Sequence, residues 1–517
     1  MTTENDAPQA VRFTDQHGNV LLDDAHLGQY IAENHLRGRF LTTGGLGWLG
    51  FDGRHWEMVT EPVVFNAVRL AVLDLHRDEG LAGADHDRLK KISGLFYTSR
   101  IAAILRVAKG CLTIKDDELD AHPEQLNVGN GVIDLRTGDL LDHHPDLLLT
   151  KVTTTNYTPA AVNPDWTTAL SALPDDDVRS WLQIRLGQGV TGHPVPDDVL
   201  VVWKGSGENG KTTIVDGVRG ALGPGYAVTM PDRVLLSHTG DHPTELMTLR
   251  GARLALMEEL PELGHLNVKR LKVVVGTDRI SARYCGKDTV DWNATHTPFI
   301  TTNYLPRVDE TDNGTWRRLM LVDFPYRYRK PHEEIESGND RKGDPGLRDR
   351  VRHGADQHEA ALAWLVEGAK RWYATDRVMP EPPAAVKEST QLWRDGVDLL
   401  GRWLDDSQEF DPTRHVMSVE AFEDFTKWLG ASGNRQWSDQ TFTARLSQHP
   451  KAEQNGVIKK RGVRSSEQGT ILSRRPGGSC VVVVPKQYTA WLGLKFRQPN
   501  LADFGHSPGE TEGRDGL

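Results

Sequence analysis

The sequence is poor in cysteine, and the few cysteines it has are isolated. Its 517 residues include Cys111, Cys285 and Cys480, which lie far apart and form no Cys-x-x-Cys pair. That spacing excludes a four-cysteine zinc ribbon and argues against a disulfide framework. We therefore expect three ordinary free cysteines in a reducing compartment.

Long hydrophobic stretches are also missing. No run of about 18 apolar residues occurs, so no transmembrane helix and no membrane partner are expected. The acidic, polar start of the chain does not have the pattern of a signal peptide. With 38% hydrophobic and 26% charged residues, the composition is typical of a soluble globular protein. These features predict a cytoplasmic protein, and we expect the cytoplasm of a bacterial host.

Positive charge is in deficit, since the formal net charge is −11. A protein of this balance that binds DNA must concentrate its cations locally, in a channel or on one module.

The length predicts three or four domains. The patterns along the chain place a flexible arm over 1–20, a mainly helical domain over 21–190, an α/β core over 191–330, a linker and helical segment over 331–410, a small module over 411–496 and a disordered tail over 497–517.

Local patterns predict helices and hairpins in the N-terminal third. Apolar residues recur at three- and four-residue steps over 62–76 and 87–97, which is typical of amphipathic helices. An Asp-Gly pair between aromatic residues predicts a hairpin over 47–56. Residues 126–140 predict two strands joined by a Thr-Gly turn. The charged, Gly- and Pro-rich stretch over 330–354 is expected to be a surface loop or linker.

The stretch from Gly205 to Thr212 has the spacing Gly-x-x-x-x-Gly-Lys-Thr. It follows an apolar run and precedes a helical pattern, a context that favours a phosphate-binding loop over a chance match. Backbone N–H groups and a helix N-terminus would face the phosphates. Lys211 is expected at the β- and γ-phosphates of ATP, and the Thr212 hydroxyl on Mg²⁺. The expected nucleotide-binding residues here are Gly205, Ser206, Gly207, Glu208, Asn209, Gly210, Lys211, Thr212 and Thr213.

Two further apolar strands end in polar side chains. One leads into Glu258 and Glu259, about 50 residues after the glycine-rich loop, and another leads into Asn303. We expect one carboxylate, Glu258, to organise the Mg²⁺ shell and the other to polarise the attacking water. Asn303 would hydrogen-bond the water and the γ-phosphate. An exposed Glu-Glu pair and an Asn that caps the turn before Pro306 are the ordinary structural alternatives.

Two arginines, Arg317 and Arg318, precede a further apolar strand pattern. An arginine that reaches the γ-phosphate of a neighbouring subunit stabilises charge that develops in the transition state. A surface pair engaged in salt bridges is the alternative.

These elements, in this order between Gly205 and Arg318, resemble those of superfamily 3 helicases, and more narrowly the primase–helicase family of phages, plasmids and poxviruses. The resemblance covers most of the chain. Residues 126–192, including Trp166, are similar to the domain that precedes the helicase in that family. Residues 271–287 are similar to the extra motif that separates this superfamily from other P-loop ATPases.

The resemblance implies an α/β fold with an AAA+ core, a parallel sheet flanked by helices, a mainly helical pre-helicase domain and a C-terminal winged-helix module. It also implies a ring, usually a hexamer, with ATP and Mg²⁺ between subunits. Arg318 would be the arginine finger of the adjacent subunit, in preference to Arg317. Lys272 would be a further contact to the nucleotide across the interface. Lys211, Glu258, Glu259, Asn303 and Arg318 form the expected catalytic set.

In the superfamily, the extra motif forms a hairpin that points into the central channel. Its tip is expected over 286–288, where Lys287, together with Arg283, would contact the phosphates of one DNA strand. One cation per subunit, repeated around a ring, follows a backbone without reading its sequence, and only the channel need then be positive. An exposed surface lysine is the alternative for Lys287.

The family name also implies a primase domain with its own metal-binding carboxylates. The chain up to about residue 190 is already occupied by the pre-helicase domain. Asp74 and His76 fall in a helical pattern, where they would not share a face. We therefore expect no primase activity in this chain, and a separate primase or polymerase as partner.

The C-terminal module has two helical patterns, over 416–429 and over 438–446 with Ser438 as cap, followed by strand patterns over 457–464 and 480–485. Basic residues concentrate around the strands. They are Lys459, Lys460, Arg461, Arg464, Arg474 and Arg475. A winged helix–turn–helix that contacts duplex DNA through the first four is expected. A solvated basic hairpin or a protein-docking module remains open.

The leading interpretation is an ATP-dependent, ring-forming DNA helicase, with the 3′ to 5′ direction usual in the family, that acts in replication of a phage or other mobile element. One alternative is an origin-binding or loading protein that uses ATP as an assembly switch and does not unwind DNA processively. Another is an AAA+ remodeller that acts on protein.

Overall fold

A computed structural model describes residues 13–15, 19–236, 243–261, 264–283, 289–308, 313–431, 436–467, 469–477 and 483–498. The chain divides into two compact units, one formed by 1–307 with 317–389 and the other by 308–316 with 390–517. The predicted arm lies largely outside the described residues, and so does the predicted tail beyond residue 498. None of the helices in the described ranges combines the length and the apolar composition needed to span a bilayer.

The first unit begins with four helices packed on a small antiparallel sheet. The helices are α1 (Asp24–Ile31), α2 (Glu61–Leu81), α3 (His86–Ser93) and α4 (Thr98–Cys111), and the strands are β1 (Phe40–Thr43), β2 (Gly47–Phe51) and β3 (Trp56–Met58). The predicted hairpin is confirmed, since Phe51 pairs with Trp56 across the turn. The helical prediction over 62–76 is confirmed by α2, whose buried residues Val64, Val68 and Leu75 lie on one face.

A second antiparallel sheet and two helices lead to the centre of the unit. They are β4 (Gln125–Val128), β5 (Gly131–Asp134), β6 (Asp139–Leu141), α5 (Pro164–Leu170) and α6 (Asp176–Gly189). The sequence predicted one turn and two strands over 126–140, whereas the structure has a further turn at Gly129 and Asn130 and therefore three strands. Asn163 caps α5 by accepting from the backbone N–H groups of Asp165 and Trp166.

The centre is a five-stranded parallel sheet in the order β13-β7-β12-β9-β8. Its strands and the elements between them are β7 (Leu200–Lys204), α7 (Lys211–Tyr226), β8 (Ala227–Thr229), β9 (Leu254–Glu258), α8 (Val268–Gly276), β10 (Arg279–Ala282), β11 (Val290–Asn293), β12 (Thr297–Thr302), α9 (Asn313–Trp316) and β13 (Leu319–Asp323). All six residues of β12 are buried, three of them threonines, as expected for an inner strand of a parallel sheet that is covered on both faces. The carboxyl ends of β7, β9 and β12 share one edge, where ligands of such sheets bind.

The stretch after the sheet is structured. It contains the parallel pair β14 (Arg327–Arg329) and β15 (Asp340–Lys342), followed by α10 (Leu347–His353), α11 (Ala355–Ala374) and α12 (Ala384–Val397). The interpretation of residues 330–354 as a surface loop or linker is therefore wrong for β15 and α10. The segment is rich in charge because its ion pairs hold it together. Asp340, for example, is buried and accepts from Arg329.

Helices α6 and α11 cross in backbone contact through two glycines. A Cβ added to Gly368 would lie 2.0 Å from the carbonyl oxygen of Gln183, and one added to Gly187 would lie 2.2 Å from the backbone nitrogen of Ala369. We expect Gly368→Ala to lower the free energy of unfolding by about 1–3 kcal/mol, since the helices must separate to admit a methyl group. Thermal or denaturant unfolding measures the loss.

Gly110, near the end of α4, provides the matched control. A Cβ added there meets no atom within 4 Å. Gly110→Ala should therefore leave stability unchanged or raise it by up to about 1 kcal/mol, because alanine loses less backbone entropy in a helix. Equal behaviour of the two variants would contradict the packing argument.

The second unit has helices packed on a mixed sheet in the order β17-β20-β16-β19-β18. Its remaining elements are α13 (Leu399–Ser407), β16 (Gln408–Met417), α14 (Ser418–Ala431), α15 (Asp439–Ser447), α16 (Pro450–Gln454), β17 (Ile458–Val463), β18 (Ser466–Glu467), β19 (Thr470–Ser473) and β20 (Tyr488–Phe496). Both predicted helices are confirmed, and Ser438 caps α15. The strand predicted over 480–485 begins outside the described residues, and 483–485 are not in a strand. Residues 488–496 form β20, which pairs with β17 instead.

Candidate functional site

The glycine-rich loop (Gly205–Thr212) joins the carboxyl end of β7 to the first turn of α7. Gly207 and Gly210 have φ of 93° and 85°, which favours glycine at both positions. A Cβ on Gly205 would lie 1.8 Å from Nδ2 of Asn209, so the loop closes tightly at its base. The strand–loop–helix context predicted from the sequence is confirmed.

Lys211 is buried at the centre of this loop. Its ammonium group donates to the carbonyl oxygen of Gly205 at 2.6 Å and to Oδ1 of Asn303 at 3.3 Å. Burial lowers the pKa of Lys211 to about 8; the nearby Asp323 carboxylate opposes that shift and Lys204 adds to it. The lysine is thus a partly desolvated cation, fixed where the glycine-rich loop and β12 meet.

Both predicted carboxylates lie beside the loop. Glu258 ends β9 and forms an ion pair with Arg219 of α7, while Arg219 also donates to the Thr229 hydroxyl at 3.0 Å. Glu259 follows with a φ of 55°, and its backbone N–H donates to the carbonyl oxygen of Thr301 at 2.9 Å. Arg219 could not be predicted as a site residue, because a single arginine inside a helix carries no local signal.

One cavity of 790 Å³ connects these groups. Most of the predicted nucleotide-binding residues line it, together with both carboxylates and Asn303; those from the loop are Gly207, Glu208, Asn209, Gly210, Lys211, Thr212 and Thr213. Gly205 and Ser206 are not among the lining residues, and Gly205 acts here through its carbonyl oxygen. The opposite wall comes from α5 and the residues that follow it, from β14 and the segment after it, and from the start of α10; the sequence assigned none of these to the site.

The donor groups at this edge fit a nucleotide with Mg²⁺. The buried Asn209 leaves its side-chain Nδ2 without a hydrogen-bond partner in the described part of the chain, at the closed base of the loop beside Gly205. Thr212 and Glu258 supply hydroxyl and carboxylate oxygens, and Mg²⁺ typically takes one or two such ligands together with substrate phosphates. No cluster of three or more His, Cys, Asp or Glu side chains that could hold a metal ion occurs in the described ranges.

Arg318 lies at the other end of the sheet. It immediately precedes β13, whose first residue pairs with Leu200 at the start of β7, and its carbonyl oxygen accepts from the Leu200 N–H. The five residues of β7 separate it from the glycine-rich loop by roughly 17 Å. Asp198 accepts from Arg318 at 2.9 Å and from Arg317 at 3.3 Å, while the Arg317 side chain is 60% exposed. Arg318 therefore does not line the cavity of its own chain.

Of the remaining residues predicted to contact nucleotide or DNA, some lie within the described residues and some do not. Lys272 is exposed on α8 and does not line the cavity. Strands β10 and β11 form the predicted antiparallel hairpin, with Arg283 exposed directly after β10. Lys287, at the predicted tip, lies outside the described residues, and so does Cys285.

The cations predicted in the C-terminal module divide into two groups. Lys460, Arg461 and Arg464 are exposed on or beside β17, while Lys459 donates to the Thr443 hydroxyl and lies over the Trp491 ring. Arg474 and Arg475 are paired with acidic residues of α14, at 2.6 Å from Glu420 and 2.7 Å from Asp424 respectively. Of the six predicted cations, the exposed ones therefore lie on or beside β17.

Comparisons with known proteins give one family match and several similar viral proteins. The family described as D5 N terminal like matches residues 29–173, which end before the glycine-rich loop. A candidate primase of African swine fever virus, C962R, is 31% identical over 336 residues, covering 61% of this chain and 34% of that protein. This chain thus spans about a third of the length of that relative.

Two candidate helicases of other viruses are also similar. Protein 022R of Frog virus 3 is 28% identical, covering 51% of this chain and 27% of its own length. Protein 184R of Invertebrate iridescent virus 6 is 23% identical, covering 80% of this chain and 51% of its own length. Among solved structures, the ligand-free A form of the NrS-1 C-terminal region matches with a TM-score of 0.43 and 14% identity, covering 84% of this chain and 87% of that chain.

Proposed function

We propose that this chain, which is similar to candidate primases and helicases of large DNA viruses, is an ATP-dependent DNA helicase acting in replication of a phage or another mobile element. The observation that carries the proposal is the Lys211 ammonium group, held 3.3 Å from Asn303 in the same cavity that both carboxylates line. A cation that can bind phosphate, a polar side chain that can sense it and two acids lie at one edge of the sheet. These are the groups that nucleotide hydrolysis requires.

The roles follow from position. Lys211 and the backbone N–H groups of the glycine-rich loop would bind the β- and γ-phosphates. Thr212 and Glu258 would hold Mg²⁺, which neutralises phosphate charge when bound. Glu259 would polarise the attacking water, and Asn303 would hydrogen-bond water and γ-phosphate together. Since Glu258 is paired with Arg219, we expect this pair to loosen when the metal arrives.

Ring assembly would complete the site from a second subunit. Arg318 lies at the sheet edge opposite its own glycine-rich loop, which suits a group that serves a neighbour's nucleotide. In a hexameric AAA+ ring, each subunit contacts the next through two different surfaces. One surface of a subunit therefore lies against the nucleotide site of its neighbour. Arg318 would then be the finger, with Lys272 as a further contact to the neighbour's nucleotide.

DNA would be held in two places. Lys287 and Arg283, on the β10–β11 hairpin, would follow one strand in the central channel, in the 3′ to 5′ direction usual for the family. The C-terminal module would contact duplex DNA as a winged helix, through Lys459, Lys460, Arg461 and Arg464. Lys460, Arg461 and Arg464 are exposed around β17, which supports a DNA contact at this surface. A separate primase or polymerase would extend the opened strand.

A forked DNA substrate tests the proposal. We expect strand separation that requires ATP and Mg²⁺, that is absent in Lys211→Ala, and that falls strongly in Lys287→Glu while DNA-independent ATP hydrolysis persists. DNA binding and ATP hydrolysis without strand separation would instead indicate the origin-binding or loading protein. Equal unwinding by wild type and Lys287→Glu would contradict the channel contact.

A further inference from the structure

We propose that the wall formed by Tyr328, Pro331 and Leu347 with Ala172, which follows α5, binds the base of the nucleotide. This inference rests on the proposed function, because it assigns the half of the same cavity that the phosphates would not fill. The cavity has a volume of 790 Å³, and its lining continues from the glycine-rich loop to these residues. Apolar and aromatic walls with few polar groups are typical of pockets that hold a nucleobase.

The wall is fixed to the glycine-rich loop. The backbone N–H of Tyr328 donates to the carbonyl oxygen of Glu208 at 2.7 Å, and the Tyr328 hydroxyl lies 3.4 Å from the hydroxyl of Ser171, which directly follows α5. A Cβ on Gly210 would lie 3.6 Å from the Tyr328 ring and 2.5 Å from the Cβ of Ala172. The ring and α5 therefore border the phosphate end of the cavity directly.

The segment behind the ring is held rigid by the buried Asp340. Its carboxylate accepts from Arg329 at 3.0 Å and from the backbone N–H groups of Glu336 and Ser337 at 2.8 and 3.0 Å. The Arg329 guanidinium is the main cause that lowers the pKa of Asp340 to about 2, so the carboxylate stays charged. A wall that is ordered before the ligand arrives loses little entropy on binding.

Three arginines around the wall already have partners. Arg329 bonds Asp340 and Glu336, Arg348 bonds Asp216 at 2.9 Å, and Arg350 bonds Asp165 and Asp344. Lys330 and His332 also line this part of the cavity, beside the apolar faces of Tyr328, Pro331 and Leu347. We therefore expect the base to be held by stacking and shape more than by charge.

Competition between ATP and inorganic tripolyphosphate tests the assignment. Tripolyphosphate has the phosphate chain without base or ribose, so its binding reports the glycine-rich loop alone. We expect Tyr328→Ala to raise the Kd for ATP by roughly 10-fold or more, the loss typical of one stacked base, and to leave the Kd for tripolyphosphate unchanged. The backbone bond to Glu208 survives this substitution. Isothermal calorimetry on the full chain measures both.

Matched variants separate the possible outcomes. Tyr328→Phe keeps the ring and should bind ATP within about 2-fold of wild type. Lys211→Ala should lose both ligands. If Tyr328→Ala binds ATP with wild-type affinity, the base assignment is wrong. It is also wrong if the affinities for ATP and tripolyphosphate fall equally, because the ring would then affect the conformation of the glycine-rich loop instead of binding the base. If the wild-type chain binds neither ligand, the proposed function itself fails.

Discussion

Lys211→Ala is expected to abolish nucleotide hydrolysis, with kcat lower by at least about 10²- to 10³-fold. The Lys211 ammonium group is buried and fixed by Gly205 and Asn303, so it meets the phosphates without reorganising. No other lysine of the glycine-rich loop replaces it. Phosphate release at saturating ATP measures the loss.

Lys204 provides the control for this variant. It ends β7, one residue before the loop, but it is 40% exposed, pairs with Asp323 at 3.7 Å and does not line the cavity. Lys204→Ala should keep kcat within about 2-fold, as expected for an exposed ion pair. A similar loss in both variants would show that general positive charge, and not the position of Lys211, supports hydrolysis.

The same lysine predicts a pH dependence. Burial lowers the pKa of Lys211 to about 8 from its ordinary 10.5, so a growing fraction is neutral above pH 8 in the free protein. Bound phosphate favours the charged form and raises that pKa. ATP binding should therefore take up a proton, and its Kd should rise about tenfold per pH unit above pH 8. Calorimetry in two buffers of different ionisation enthalpy measures the uptake, which Lys211→Ala should remove.

Arg318→Ala is expected to lower kcat by roughly 10³- to 10⁵-fold while ATP affinity changes little, because an arginine finger acts on charge that develops in the transition state. Arg317→Ala should have a much smaller effect, since Arg317 is largely exposed and shares the same Asp198 carboxylate. Single-turnover hydrolysis and equilibrium ATP binding, measured separately, distinguish the two effects.

Mixing two inactive variants tests whether the finger acts between subunits. Arg318→Ala subunits keep an intact glycine-rich loop, and Lys211→Ala subunits keep an intact finger. In equal mixture, roughly a quarter of the interfaces of a ring would join the two intact halves, so activity should return to about that level. No recovery from the mixture would contradict a finger in trans.

Asp198→Asn offers a milder probe of the same contact. Asp198 holds both arginines at the start of β7. The variant should lower kcat less than Arg318→Ala does, and Lys211→Ala subunits should rescue it in the same way, which a folding defect would not allow.

Much of the site could be predicted because its signals are local. The glycine-rich loop, its flanking strand and helix, and the strand ends at Glu258 and Asn303 each lie within a short stretch whose pattern reflects backbone geometry. The parallel sheet then brings these ends to one edge, and the structure places Lys211 against Asn303 as that reasoning requires. Lys287 stays a prediction, because it lies outside the described residues.

The sequence by itself determined which residues carry charge and which stretch has the glycine-rich spacing expected of a phosphate-binding loop, since these depend on residue type and near-neighbour spacing. Only the tertiary structure decided which residues pair with these side chains. It paired Glu258 with Arg219, set Arg318 on Asp198 at the far end of the sheet, and turned a supposed linker into the wall around Tyr328. These contacts join residues from about 40 to more than 150 positions apart, and no local pattern encodes them.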